Sequence, residues 1–324
     1  MGAERVMITG GAGFVGLHLA RHLVRGGSEV TLVDDFSRGR QDEDFRELGE
    51  HVALIEHDLR EPLPFDPPDD GFDAVYHLAA VVGVARVSQN AALVLDVNLR
   101  SALNVLEWCH RYPPGALFLS STSEVADGAA GLGLTAYPTK EDGPFALAAP
   151  AAPRASYALS KVVAESLFRQ SGLSRVRIGR YHNIYGPRMG DEHVIPQFVA
   201  RALGRLDPFP VYGGTQARAF CYIEDAIDAT VALTRLPDAD PMVVNIGNDR
   251  EEIRIDRLAD KVVTLAGYRP ALDIHPAPAG SPERRLPDLG RLRDAVGYRP
   301  RVSLDEGLRR TFEWYLAERT RTEP

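Results

Sequence analysis

Cysteine is almost missing. The 324-residue chain holds two, Cys109 and Cys221, far apart. That excludes a disulfide framework and a cysteine-based metal site, and no metal is expected. No apolar run is long enough to span a bilayer, so no membrane partner is expected. Positive charge is the minority sign. Lys and Arg number 37 against 45 Asp and Glu, and the net charge of -8 argues against a nucleic-acid surface. The first residues, Met1-Gly2-Ala3-Glu4-Arg5, show no signal-peptide core and no myristoylation motif. The cytoplasm is therefore the expected compartment. There is no internal repeat. What remains is an ordinary globular balance, 44% hydrophobic and 25% charged, enough for one large domain or two intimate ones.

The most informative residues are Thr9-Gly10-Gly11-Ala12-Gly13-Phe14-Val15-Gly16. They follow a strand-like run, Arg5 to Ile8, and precede a helical pattern from Leu17 to Leu23. A second strand, Val30 to Val33, ends at Asp34-Asp35. Gly10 and Gly13 allow a tight turn and a close approach of backbone N–H groups to a pyrophosphate. Gly16 lets the helix pack against the sheet. The helix N-terminus, at Phe14 and Val15, favours phosphate charge. Asp34, 18 residues after Gly16, can accept hydrogen bonds from a ribose diol. A carboxylate there repels a 2′-phosphate, which favours NAD over NADP even with Arg38 and Arg40 close by.

Strands and helices alternate through the first half. Val52 to Leu59, Ala74 to Ala80 and Ala116 to Ser121 read as strands, and Leu93 to Cys109 as a helix. Such alternation predicts an α/β fold, a Rossmann-type doubly wound parallel sheet. Gly128 to Pro153 is small and apolar without a period and reads as a long surface loop. Ser156 to Ser171 returns to helix and Arg175 to Arg180 to strand. Beyond Gly186 the alternation breaks down into short elements. The expected division is an NAD-binding domain over residues 1–180. A smaller, mixed, mainly substrate-binding lobe covers 181–324, with no clean linker.

Tyr157 and Lys161 stand at i and i+4 of a helical pattern, on one face. A phenol titrates near 10, too high for a good base at neutral pH. A nearby ammonium stabilises the phenolate, so the tyrosine can take a proton from a sugar hydroxyl while hydride leaves for NAD. Upstream, Ser120-Ser121-Thr122-Ser123-Glu124-Val125 closes a strand, and Thr122 can share the substrate hydroxyl with Tyr157.

With these blocks in place, the chain resembles the extended short-chain dehydrogenase/reductase family that modifies nucleotide sugars. The likeness runs through Thr9 to Gly16, Asp58-Leu59, His77 to Ala80, Asn98, Ser120 to Val125, Tyr157/Lys161, Arg180 to Arg188, Gly213 to Asp225 and Asn245 to Asn248. It implies that Asp58 and Leu59 border the adenine and that Leu78, Ala79, Ala80 and Ser120 line the cofactor. Asn98 would steady the structure near the nicotinamide. Arg218 and Arg285 would grip the diphosphate, and Asn183 would donate to it. Ser123, Arg188 and His193 would face sugar or nucleotide. The resemblance also implies a homodimer paired through the helices near Leu93 to Cys109 and Ser156 to Ser171.

Enzymes of this family oxidise C4 of the nucleotide-bound sugar and retain NADH. They then epimerise, dehydrate or decarboxylate. A glutamate at position 124 is common in those acting at C5 and C6 and unusual in simple C4 epimerases. Thr122-Ser123-Glu124 is similar to UDP-glucuronate decarboxylases and to GDP-mannose dehydratases. It lacks the Thr-Asp-Glu aspartate of the deoxythymidine-diphosphate sugar dehydratases. Pro153 to Tyr157, Asn245 to Glu251 and Arg284 to Asp288 also look like the decarboxylases. The usual Tyr-Gly after Ser-Glu-Val is Ala126-Asp127 here, which reshapes the pocket wall. Decarboxylation or dehydration using Glu124 is the expected chemistry. The alternatives are an epimerase in which Glu124 is structural or acts at C5, and a non-catalytic NAD-binding regulator.

Overall fold

The computed structural model describes residues 3–322 except 84–86, 88, 148, 150–151 and 279. Its first half alternates as expected: β1 (Arg5–Thr9), α1 (Phe14–Arg25), β2 (Glu29–Asp34), a short α2 (Glu43–Arg46), β3 (Val52–Glu56), β4 (Ala74–His77), α3 (Ala91–Arg111), β5 (Ala116–Thr122), α4 (Glu124–Gly131), α5 (Ala155–Arg169) and β6 (Val176–Tyr181). Short elements follow: β7 (Ile184–Tyr185), α6 (Val194–Leu203), β8 (Phe209–Tyr212), β9 (Ala217–Ala219), β10 (Cys221–Tyr222), α7 (Ile223–Thr234), β11 (Met242–Ile246), β12 (Glu252–Arg254), α8 (Ile255–Leu265), β13 (Leu272–His275), β14 (Arg284–Arg285), α9 (Gly290–Val296) and α10 (Leu304–Thr322).

The central sheet has seven strands in the order β11-β6-β5-β4-β1-β2-β3, every pair parallel. The order reverses beside β1. β1 and β4 stay paired to their last residues, Thr9 and His77, and the connections leaving them part to opposite sides of the sheet, which leaves the crevice where ligands bind in such sheets. Strands covered on both faces need apolar residues on both. Accordingly all seven residues of β5 are buried. Along β1 the side chains alternate. Val6 and Ile8 join the core cluster that includes Leu17 and Leu19 of α1, and Met7 joins the opposite cluster with Val105 of α3 and Phe168 of α5.

Both β11 and α7 come from beyond residue 181, yet β11 forms a sheet edge beside β6 and α7 packs on α1. The sheet thus draws on both stretches of chain. Three shorter sheets, β10-β7, β12-β9-β14 and β13-β8, build the rest of the second part.

Three local expectations shift. The strand from Val52 stops at Glu56. The helix expected over 93–109 runs from Ala91 to Arg111, because the Asn90 side chain accepts the Leu93 N–H as a cap. The stretch expected as loop from Gly128 is helical to Gly131. Gly128 lies so close to the Ala146 carbonyl that a Cβ would come within 1.8 Å of its oxygen. Among the described residues, no helix is long and apolar enough to cross a membrane, and no group of three His, Cys, Asp or Glu could hold a metal ion.

Candidate functional site

A cleft of about 630 Å³ opens along the carboxyl edge of the sheet, from the glycine turn to Arg285. The turn is built for close approach. Gly10 has φ +71°, and a Cβ there would collide with Ala79 backbone at 2.8 Å. A Cβ on Gly16 would come within 2.2 Å of the Gly10 carbonyl oxygen. Gly13 starts α1 without any side-chain cap, so the first N–H groups of the helix, including those of Phe14 and Val15, face the cleft with the positive end of the helix dipole. These are the features a dinucleotide pyrophosphate needs.

Asp34 ends β2 beside this turn. Its Oδ2 accepts the Ala12 N–H at 2.9 Å and its Oδ1 the Phe36 N–H at 2.8 Å. Burial pushes its carboxyl above the usual range, while those two N–H groups pull it back. Asp35 and Asp58 line the same end of the cleft with Leu59. Asp58 is held low by its bonds to Arg60.

On the other side, Leu78, Ala79 and Ala80 form the wall. Asn98 stands behind them and is not a lining residue. Its Oδ1 accepts the Val81 N–H at 2.7 Å, and its Nδ2 donates to Val81 O and to Ser160 Oγ. It therefore fixes the Val81 backbone that follows the wall.

Thr122, Ser123, Glu124, Tyr157 and Lys161 converge at the far end. β5 delivers Thr122, α4 begins at Glu124, and α5 carries both Tyr157 and Lys161. The Thr122 hydroxyl lies near the Tyr157 phenol and favours its ionised form. The Glu124 N–H donates to Thr122 Oγ1 at 3.3 Å. The Ser123 N–H donates to the Tyr181 carbonyl at 3.0 Å.

One electrostatic expectation changes here. The Lys161 ammonium was expected to draw the Tyr157 titration down. Instead Lys161 Nζ donates to the Ser120 carbonyl at 2.9 Å, and burial lowers its own pKa to about 8. Burial and then the Glu124 charge push the Tyr157 phenol upward. The groups that favour the phenolate are Thr122, Arg285 and Arg38, and burial outweighs them.

The arginines divide. Arg285 lies in the cleft, with Nη2 3.2 Å from Glu124 and a bidentate bond to Asp127. Arg154 reaches Glu124 at 3.6 Å. Arg188 touches the cleft, but its guanidinium is turned away from the sugar end. It donates to the Ala12, Gly13 and Arg40 carbonyls and pairs with Asp42. Arg218 is not a lining residue. Its donors go to the carbonyls of Ala217, Pro282 and Glu283, and burial lowers its pKa to about 10. The Asn183 side chain donates to the Ala219 carbonyl at 2.9 Å. His193 lines the cleft at the start of α6, and burial lowers its pKa to about 4.

Sequence reasoning missed three contributors. Arg154 stands in the Pro153 to Tyr157 block without a role assigned. Asp127 was noted only as a departure from the usual glycine. Behind Thr122, Ser121 Oγ donates to Glu165, which forms a buried bidentate pair with Arg180. Glu165 lies one turn after Lys161, a spacing that could have marked it.

A family model described as the NAD dependent epimerase/dehydratase family matches residues 6–247. UDP-glucuronic acid decarboxylase 1 of Danio rerio is 36% identical, covering 97% of this chain and 73% of that protein. UDP-N-acetyl-alpha-D-glucosaminuronate decarboxylase of Bacillus cytotoxicus is 33% identical, covering 96% of this chain and 98% of that protein. Among solved structures, the dTDP-glucose 4,6-dehydratase DesIV of Streptomyces venezuelae, with NAD bound, superposes with a TM-score of 0.84 at 27% identity, covering 99% of each chain.

Proposed function

The chain belongs to the NAD dependent epimerase/dehydratase family, and we propose that it decarboxylates a UDP-linked hexuronate through oxidation at C4. The observation that carries this reading is the meeting of Thr122, Tyr157 and Glu124 at one end of the dinucleotide cleft, with Arg285 and Arg154 around the glutamate. NAD, when bound, supplies the hydride acceptor and returns the hydride at the end.

The residues then have distinct tasks. Tyr157, beside Thr122, takes the proton of the C4 hydroxyl. Lys161 supports the negative charge that develops there. The 4-ketone makes the C6 carboxylate a β-keto acid. Its C5–C6 bond breaks, carbon dioxide leaves, and the electron pair passes into the C4–C5 enolate. Glu124, a carboxylate in the resting site, relays a proton from water to C5, and Tyr157 returns its proton to O4 when the ketone is reduced. Ser123, Asn183 and His193 position sugar and diphosphate, with Arg285 and Arg154 as the cationic side of the site. The stretch 181–324 supplies most of the nucleotide-binding part and 1–180 most of the NAD-binding part. Both decarboxylase relatives support the reaction.

The test is a panel of nucleotide sugars incubated with the protein and read by mass. Loss of carbon dioxide from a UDP-hexuronate is the expected result. Loss of water from a neutral sugar, or isomerisation without mass change, would overturn it.

A further inference from the structure

Charge around the sugar end is already balanced before any substrate enters. Glu124 and Asp127 face Arg154 and Arg285. Arg285 Nε lies 3.2 Å from both oxygens of Asp127, its Nη2 bonds Oδ2 as well, and the same Nη2 is 3.2 Å from Glu124. The Nε–Nη2 fork of a guanidinium takes one planar anion at a time. Here that fork is filled by an aspartate from the first turn of α4. Arg218 does not line the cleft, and its donors go to the Ala217, Pro282 and Glu283 carbonyls and to Gln216 and Ser281. A nucleotide sugar brings a diphosphate, and a hexuronate adds a carboxylate. Either would meet Glu124 and an Arg285 whose Nε–Nη2 fork is already taken by Asp127.

We infer that Asp127 is a placeholder anion on Arg285, exchanged for an anionic group of the incoming nucleotide sugar, and that it sets how tightly that substrate binds. This rests on the nucleotide-sugar reading of the site. The geometry supports exchange. Asp127 is 24% exposed, against 12% for Arg285, so the aspartate has the room to swing while the arginine stays. When it leaves, Arg285 keeps Glu124 as partner and gains the substrate anion. Asp127 then loses its ion pair, and that loss is charged against binding. The usual Tyr-Gly at positions 126 and 127 brings no such competitor.

The test is calorimetric titration of the NAD-loaded protein and its Asp127→Asn variant with UDP, UDP-glucose and UDP-glucuronate. Asp127→Asn should bind at least one of them about tenfold more tightly, and Asp127→Glu, which keeps the charge, should not. A gain confined to UDP-glucuronate places the C6 carboxylate on Arg285. An equal gain with all three places the diphosphate there. Unchanged or weaker binding of every probe by a variant that melts like wild type overturns the inference. Should Asp127→Asn melt lower, Asp127→Ser is read by the same criterion. Carbon dioxide release by wild type is scored separately, so loss of the decarboxylase reading leaves these titrations interpretable. Failure of all three probes to bind either form overturns both.

Discussion

Arg188 and Asp42 lie 146 positions apart and meet in an ion pair, Nε to Oδ2 at 2.8 Å, with the arginine side chain 3% exposed. The pair is a latch on the cofactor end of the cleft. From the same guanidinium, Nη1 donates to the Ala12 carbonyl while Asp34 accepts the Ala12 N–H, so the glycine turn is held from both sides. Three further contacts tie α2 and the loop after β7 into place: Arg21 and Trp314 on Asp44, and Tyr315 on the Met189 carbonyl. Asp42→Asn leaves a buried guanidinium without its counter-ion and should cost about 3 kcal/mol of stability, measured by urea unfolding. Arg188→Met should also raise the KM for NAD more than it lowers kcat. A variant with wild-type unfolding midpoint and wild-type NAD affinity would show the latch to be idle.

NAD should bind more tightly than NADP. The Asp34 carboxylate is fixed by the Ala12 and Phe36 N–H groups, and a carboxylate at the end of β2 should repel a 2′-phosphate. Asp34→Asn should narrow the preference. Gly39→Ala should weaken both cofactors, because a Cβ there would press on Ala12 at 2.6 Å and on Asp34 Oδ1 at 2.8 Å. Equal affinities of the wild type for NAD and NADP would remove Asp34 from cofactor choice.

Lys161 gives activity and stability opposite pH dependences. Burial lowers its pKa from 10.5 to about 8. Below about pH 8 the folded protein holds the ammonium, and kcat/KM should fall as pH rises through that value. Between the two values the unfolded chain binds the extra proton, so this group's contribution to stability rises with pH over the same window. Lys161→Met should lose most activity and show a flatter stability profile from pH 8 to 10. A wild-type kcat/KM that keeps rising past pH 9 would detach Lys161 from the reaction.

The Rossmann half was legible because its signals are local. Glycine spacing, buried strand runs and an acid at the end of β2 need only neighbouring residues to be read. The Tyr157/Lys161 pair was legible for the same reason, as one turn of one helix. What escaped is long-range. The Arg188–Asp42 pair joins stretches 146 residues apart, and Asp127 meets Arg285 across 158. An arginine's partner cannot be read from its own segment. Arg218 and Arg285 look alike as sequence, yet one is absorbed by carbonyls and the other faces the cleft. Burial also decides titration, so the direction of the Tyr157 shift was beyond spacing arguments.

The protein should be a homodimer. α3 and α5 pack side by side on one face of the sheet, and Leu93 and Leu103 of α3 remain 40% and 50% exposed. A pair of helices from each of two copies would cover them. Light scattering at micromolar concentration should give twice the 35.5 kDa chain mass. Leu103→Glu should shift it toward monomer, and a monomeric wild type would refute the pairing.

Tyr157→Phe and Glu124→Gln should stop the reaction at different points. In the proposed mechanism Tyr157 with Thr122 acts on the C4 hydroxyl and Glu124 acts only later, so the phenylalanine variant should fail before hydride leaves. Turnover should drop by about 10²–10⁴, with substrate affinity nearly intact and no reduced-nicotinamide absorbance. Glu124 acts after the ketone exists. Its glutamine variant should still reduce the cofactor and then stall, so bound NADH accumulates while little product forms. Removing the charge has a second consequence. Glu124 is the largest charged contributor holding the Tyr157 phenol up, so Glu124→Gln should move the phenol's titration downward. Reduction of NAD in single turnover should then begin at lower pH than in wild type. Near-normal product formation by Glu124→Gln would make the glutamate structural and favour the epimerase alternative.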